Sequence, residues 1–290
     1  MKFELKKKQK SKPEKEPEYF TSATNMQTLN YNVYYMKAKE TILTFLVAFV
    51  AGAFVGYLFY GGIGKNEFGE PTKITWILNI LIPGVVGVIA GKLFLPIRVK
   101  SIIQKRKTEL AHQFRDMLES LNTSLGSGKN VTDSFISVLD DLKLQYSEDA
   151  YILYELKVII SGIHNNVAIE DLLEDFGNRS GNEDIKSFAN VFRIAYRTGG
   201  NIKDIIRNTH SIISEKMEIS DEIETLVTSN KTEQNIMIVM PIILISVIKM
   251  MSPEFAENFV SPAGIISTTI SIGFYVLAYF IGKEVLDIKI

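Results

Sequence analysis

The stretch Gly126-Ser127-Gly128-Lys129 is the part of this chain that looks readiest for chemistry, because a glycine loop ending in lysine is a common grip for phosphate. Such a loop needs Gly-x-x-x-x-Gly-Lys-Ser/Thr and is entered from a strand. Here the place of the first glycine is held by Thr123, Asn130 follows Lys129, and the preceding residues are helical in pattern. The stretch therefore reads as a turn between helices. Other chemistry is equally sparse. There are no cysteines, which excludes thiolate ligation, a Cys nucleophile and disulfides. His112, His164 and His210 form no His-x-x-x-His pair and read as helix-surface residues, so no catalytic residue, cofactor or metal is expected. A formal net charge of −1 gives no overall basic field for nucleic acid.

The turn has a second copy. Seventy-one residues on, Tyr196 to Ile206 reads YRTGGNIKDII, which sets Gly199, Asn201, Ile202 and Asp204 on Gly128, Asn130, Val131 and Asp133. In each copy the glycine is expected to close one helix in the left-handed conformation, Gly200 extending the second turn. Asn130 and Asn201 then N-cap the next helix, and the aspartate at its third position faces the free amides. Between the copies, Ile169 to Leu173 carries a weaker echo around Asp171, without the glycine. Asp133, Asp171 and Asp204 have two readings. As helix-terminal acids each contributes about 0.3–1 kcal/mol. With Glu170, Glu174 and Lys203 they would instead form a charged surface for a partner. Arg197 either braces helix carbonyls or meets a partner's carboxylate.

These turns must be held by a helical block, residues 97 to 235. Phe114, Met117, Leu118, Leu121 and Leu125 follow the spacing of one helix face, as do Leu153, Leu156, Ile160 and Ile163, and Ile202, Ile205, Ile206 and Ile212. No proline interrupts Ile97 to Met240.

Apolar segments flank the block. Ile42 to Tyr60 is 19 residues without a charge, roughly 28 Å as a helix and close to the hydrocarbon thickness of a bilayer. Ile74 to Leu95 has only Lys92, near its end. Ile236 to Met251 contains Pro241, and Ala263 to Ile281 is uncharged. The pairs Gly52/Gly56 and Gly87/Gly91 have the small-xxx-small spacing that lets membrane helices approach closely. The first apolar block starts too late and runs too long to be read as a cleaved signal.

Nine lysines in the first 40 residues, and Arg98, Lys100, Lys105, Arg106 and Lys107 after the second block, place both termini and the middle in the cytoplasm. The expected organisation is a disordered charged cytoplasmic tail (1–41), a transmembrane hairpin (42–96), the cytoplasmic helical domain (97–235), a second hairpin (236–282) and a short cytoplasmic C-terminus (283–290). The fold class is an all-α integral membrane protein: two transmembrane hairpins flanking a helical bundle with repeated helix-Gly-Asn-helix units. Lysines of the tail can meet anionic membrane lipid, but their mixing with glutamate reads as a solvated tail.

Two spans, a helical domain with duplicated Gly-Asn turns and two more spans resemble the type II secretion F domain family of inner-membrane platform proteins. The likeness covers about residues 42 to 285, and is strongest to the Tad (tight adherence) pilus platform proteins TadB and TadC. Arg197-Thr198-Gly199-Gly200-Asn201-Ile202 is similar to that group's Gly-Gly-Asn-Leu turn. Lesser matches are Gly162 through Leu173 followed by Arg179, Pro241 inside the third span, and Pro262-Ala263-Gly264. The chain departs from longer relatives in having one helical domain where they have two. The resemblance implies a scaffold in the cytoplasmic membrane, coupling a cytoplasmic assembly ATPase to extraction of prepilin subunits, with an identical or paralogous subunit completing the platform. Two other classes compete. A sensor kinase, suggested by His112, would need an ATP-binding domain that the following residues do not supply. A small transporter or channel subunit would need intramembrane ionisable groups, and the apolar blocks hold no mid-bilayer carboxylate, histidine or arginine.

Overall fold

The structure, a computed structural model, describes residues 16–22, 25–65 and 70–286. Residues 1–15 of the expected tail and 287–290 of the expected C-terminal segment lie outside the described residues. Among the described residues the protein is helical apart from one short ribbon, and four helices are long and apolar enough to cross a membrane. The order is β1 (Tyr19–Thr21), β2 (Gln27–Leu29), α1 (Ala38–Tyr60), α2 (Lys73–Gly126), α3 (Val131–Gln145), α4 (Tyr151–His164), α5 (Ile169–Ser180), α6 (Glu183–Thr198), α7 (Ile202–Met251), α8 (Pro253–Val260) and α9 (Pro262–Leu286). They form two compact units. Unit 1 comprises the described part of 1–35 with 101–213, and unit 2 comprises 36–100 with 214–290, again where described. Helices α2 and α7 contribute residues to both.

Unit 1 is built around buried aromatics. Phe114 of α2 meets Phe188 of α6 edge-on at 5.4 Å and Phe176 of α5 at 6.1 Å, and Phe188 continues to Phe192 at 5.8 Å. Helix α4 is buried on more than one side, with Ile152, Leu153, Leu156, Val158 and Ile159 all inside, so its apolar stripe is wider than the spacing of Leu153, Leu156, Ile160 and Ile163 suggests. At the start of α7 the inward residues are Ile206 and Ile213, seven apart and so on one face. Ile212 is 64% exposed, against the expectation that it joins the buried face.

Of the segment expected as tail to residue 41, residues 16–22 and 25–35 are packed in this unit. Strands β1 and β2 pair antiparallel, Tyr19 opposite Leu29 and Phe20 opposite Thr28. Tyr31 beyond them is only 1% exposed. The physical reason is compositional: the charge is concentrated before residue 19, whereas 19–35 carries five aromatics that need burial or a partner.

In unit 2, α1 lies close against α2. A Cβ on Gly52 would stand 2.6 Å from the Cβ of Ala90, so only glycine allows the contact. Gly56, Gly87 and Gly91 are buried beside it. The third apolar block is the C-terminal part of the 50-residue α7, which runs through Pro241. The loop expected after it holds α8, capped where the Ser252 hydroxyl accepts from the amide of Phe255 at 3.3 Å. Between α1 and α9, the hydroxyls of Tyr60 and Thr269 are hydrogen-bonded at 2.9 Å.

Candidate functional site

Helix α2 ends at Gly126 and Gly128 has φ +89°, a left-handed conformation that a side chain would strain. The Asn130 carboxamide oxygen accepts from the amide of Asp133 at 2.8 Å, and its NH2 donates back to the Asp133 carboxylate at 2.7 Å. Lys129 donates to the hydroxyl of Ser137 at 2.6 Å. This is a reciprocal capping turn. Its lysine and the amides of Gly128, Asp133 and Ser134 bond to the chain itself.

The second turn repeats the arrangement. Gly199 closes α6 at φ +73°, and the amide of Gly200 reaches the Ala195 carbonyl at 2.8 Å. Asn201 accepts from the amide of Asp204 at 3.3 Å and donates to its carboxylate at 2.5 Å. A third junction of the same chemistry was not anticipated. Gly181 closes α5 at φ +61°, and Asn182 caps α6 by accepting from Asp184 at 2.8 Å and Ile185 at 3.3 Å. Its sequence signal, Gly181-Asn182 before Glu183 and Asp184, is plain once sought. Helix α5, by contrast, starts at Ala168 with no side-chain cap, so Asp171 sits in a first turn without the asparagine.

The candidate partner-facing residues fall into two groups. Arg197 meets carboxylates of its own chain, Glu170 at 3.2 Å and Asp171 at 3.6 Å. Arg193 adds Asp171 at 3.5 Å and Glu174. These contacts form a charged seam between α5 and α6, partly exposed and worth about 0–1 kcal/mol per pair. Asp133 is exposed in the first turn, and Asp204 pairs with Arg207 at 3.2 Å in the second. The Lys203 ammonium lies 3.9 Å from where a Cβ of Gly126 would stand, so the first turn of α7 adjoins the end of α2. Asp171 and Arg197 are thus brought together directly, while Asp133 and Asp204 sit on separate turns.

The most buried polar cluster of unit 1 was missed by sequence reasoning, although Arg179 had been noted. Arg179 of α5 is 5% exposed and faces Glu155 of α4, 0% exposed, in a bidentate pair at 2.8 and 3.0 Å. Its Nε donates to Asp175 at 2.7 Å, and Nη1, one of the two nitrogens on Glu155, also donates to the Leu29 carbonyl at 3.1 Å. Tyr31 donates its hydroxyl to Glu155 at 2.9 Å and its amide to the Arg179 carbonyl at 3.1 Å. Burial, then the adjacent Glu155 charge, holds the Tyr31 hydroxyl well above the ordinary tyrosine range. For Arg179 burial acts downward, but hydrogen bonding and charge from Glu155 outweigh it and keep the guanidinium above its usual value. The cluster fastens the N-terminal segment to α4 and α5. Lys107 to Asn32 at 2.7 Å, Arg106 over the Tyr34 ring at 4.4 Å and the Tyr154 hydroxyl to the Gln27 carbonyl fasten it further.

His164 is exposed, His112 and His210 are half-buried, and among the described residues no three His, Asp or Glu stand together as a metal set. Compared with known proteins, the chain matches no family model, no curated protein and no solved structure.

Proposed function

We propose that the protein is an inner-membrane platform (scaffold) protein of a type IV or Tad-like pilus or type II secretion machine, a member of the type II secretion F domain family. In this reading α1 with the start of α2, and the end of α7 with α9, form two hairpins through the cytoplasmic membrane. Both termini and unit 1 lie in the cytoplasm. An assembly ATPase engages unit 1, and its motion passes along α2 and α7 to the spans, where prepilin subunits are drawn from the bilayer. The observation that carries the reading is the chain order: two apolar helices, a helical unit with glycine-asparagine turns at 128–130 and 199–201, then two more apolar helices. The experiment is copurification from native membranes in mild detergent, with retained proteins identified by mass spectrometry. A hexameric secretion-type ATPase, a second platform subunit or prepilins are the expected partners. A folded protein that retains none of them would overturn the proposal in favour of a small transporter or channel subunit.

The ATPase surface has a sharper test. Asp171 is engaged by Arg193 and Arg197, so reversing it disturbs the α5–α6 seam whatever its partner role. Asp133→Lys with Asp204→Lys changes the two turns and leaves that seam untouched. Full ATPase capture by this folded double variant would remove those turns from the docking surface.

A further inference from the structure

Unit 2 contains a cavity of about 380 Å³ that nothing in the platform reading requires. It lies where α1 ends, α2 begins, α7 ends and α8 follows. Its size is within the usual range of ligand pockets, about 300–1,000 Å³. Its polar lining is Lys65, Lys249, Thr75, Asn79, Ser246 and Tyr57, and its apolar lining includes Phe54, Leu58, Met250 and Val260.

The two lysines decide the ligand class. Among the described residues neither ammonium has a carboxylate at ion-pair distance. Lys249 is half-buried, donates once to the Leu58 carbonyl at 2.5 Å and lies 4.4 Å from the Phe259 ring centre. The Leu58 carbonyl is one of the last four of α1, so this contact caps the helix and occupies one of three ammonium donors. Lys65 is exposed and caps nothing in this way. Asn79 accepts from the amide of Gly62 at 2.8 Å, which leaves its NH2 as the group able to donate. The Thr75 hydroxyl is bonded to Thr72 and the Ser246 hydroxyl donates to the Ile242 carbonyl. Two cations and the Asn79 NH2, with large apolar side chains beside them, suit an anion joined to an apolar body. Glu254 and Glu257 of α8 are not among the lining residues.

We propose that this cavity binds the phosphate headgroup of an anionic membrane lipid. Lys65 and Lys249 share the phosphate, the Asn79 NH2 adds a hydrogen bond, and the apolar wall holds the glycerol–acyl junction. The site is independent of the platform role.

Native mass spectrometry of the full chain in mild detergent tests this, with phosphatidylglycerol and phosphatidylcholine titrated in turn. Preferential retention of phosphatidylglycerol is expected, falling about fivefold for each lysine removed in Lys65→Gln and Lys249→Gln. Lys65→Gln should leave thermal unfolding unchanged, which separates lost binding from lost folding. Equal retention of the two lipids, or undiminished phosphatidylglycerol binding by a folded double variant, would overturn the site. Excess inorganic phosphate that displaces the lipid would instead assign the lysines to a soluble anion and overturn the lipid part.

Discussion

Phe114 and Ile80 lie on the same helix, α2, and are treated oppositely: Phe114 is 1% exposed and Ile80 is 73% exposed. The contrast holds across the two units. Every buried large apolar side chain among the described residues belongs to unit 1, whereas unit 2 turns Leu43, Ile80 and Phe274 outward and buries Gly56, Pro83, Gly87, Gly91 and Thr75. A water-facing unit gains by hiding apolar area. Helices surrounded by lipid, as proposed for unit 2, have no such drive between them, so close packing of small residues is what would bring them together. Polar groups follow the same division. In unit 1 a charged pair is buried and fully partnered by Glu155, Arg179 and Tyr31. In unit 2 the lysines stand beside a cavity at the helix ends.

The largest break in this comparison should come from unit 1's buried pair. Glu155→Ala leaves the Arg179 guanidinium buried without its main counter-charge, and unit 1 should lose about 3–5 kcal/mol. Hydrogen exchange of unit 1 amides in the detergent-solubilised chain reads this, and unit 2 amides serve as the control. Cavity formation ranks beside it: Phe114→Ala should cost about 3–5 kcal/mol. Ile80→Ala should move unfolding by no more than about 0.5 kcal/mol, the scale of an outward-facing substitution. Comparable losses from the two changes would erase the distinction between the units.

Smaller effects sharpen it. Gly199→Val places a branched side chain at φ +73° and should destabilise unit 1 by about 1–3 kcal/mol, seen in chemical denaturation. Tyr31→Phe removes one hydrogen bond to Glu155, for about 1 kcal/mol at neutral pH. Its pH dependence is the more specific readout. The folded-state pKa of Tyr31 is raised, so the native chain holds this proton more tightly than the unfolded chain. That contribution is complete below the unfolded value of about 10 and is lost as pH rises through the folded value. The stability difference between the wild type and Tyr31→Phe should therefore narrow above pH about 10. A constant difference across that range would mean Tyr31 ionises as it does in the unfolded chain.

Much of the local structure was legible because it depends on neighbours in sequence. Apolar spacing marked the helices, long uncharged runs marked the four apolar segments, and Gly-x-Asn followed by aspartate marked the capping turns at 128–133 and 199–204. The reading of Arg197 stayed open between two roles because its partners, Glu170 and Asp171, lie 26 and more residues away. The aromatic segment 19–35 was taken with the charged tail because its partners are on α4 and α5; Tyr31 reaches Glu155 across 124 residues. Glu155 itself carries no sequence mark of burial, since a lone glutamate in a helix usually faces solvent.

By itself, then, the sequence determined the helical block, its two glycine–asparagine turns at 128–133 and 199–204 and which runs are apolar enough to cross a bilayer, since each follows from residues within a few positions of one another. Only the tertiary structure decided that residues 16–22 and 25–35 pack into unit 1, that Glu155 and Arg179 pair in its interior and that Lys65 and Lys249 flank one cavity. Those outcomes depend on side chains far apart in the chain meeting where water is excluded, and charge, hydrogen bonding and burial take their values only after that meeting.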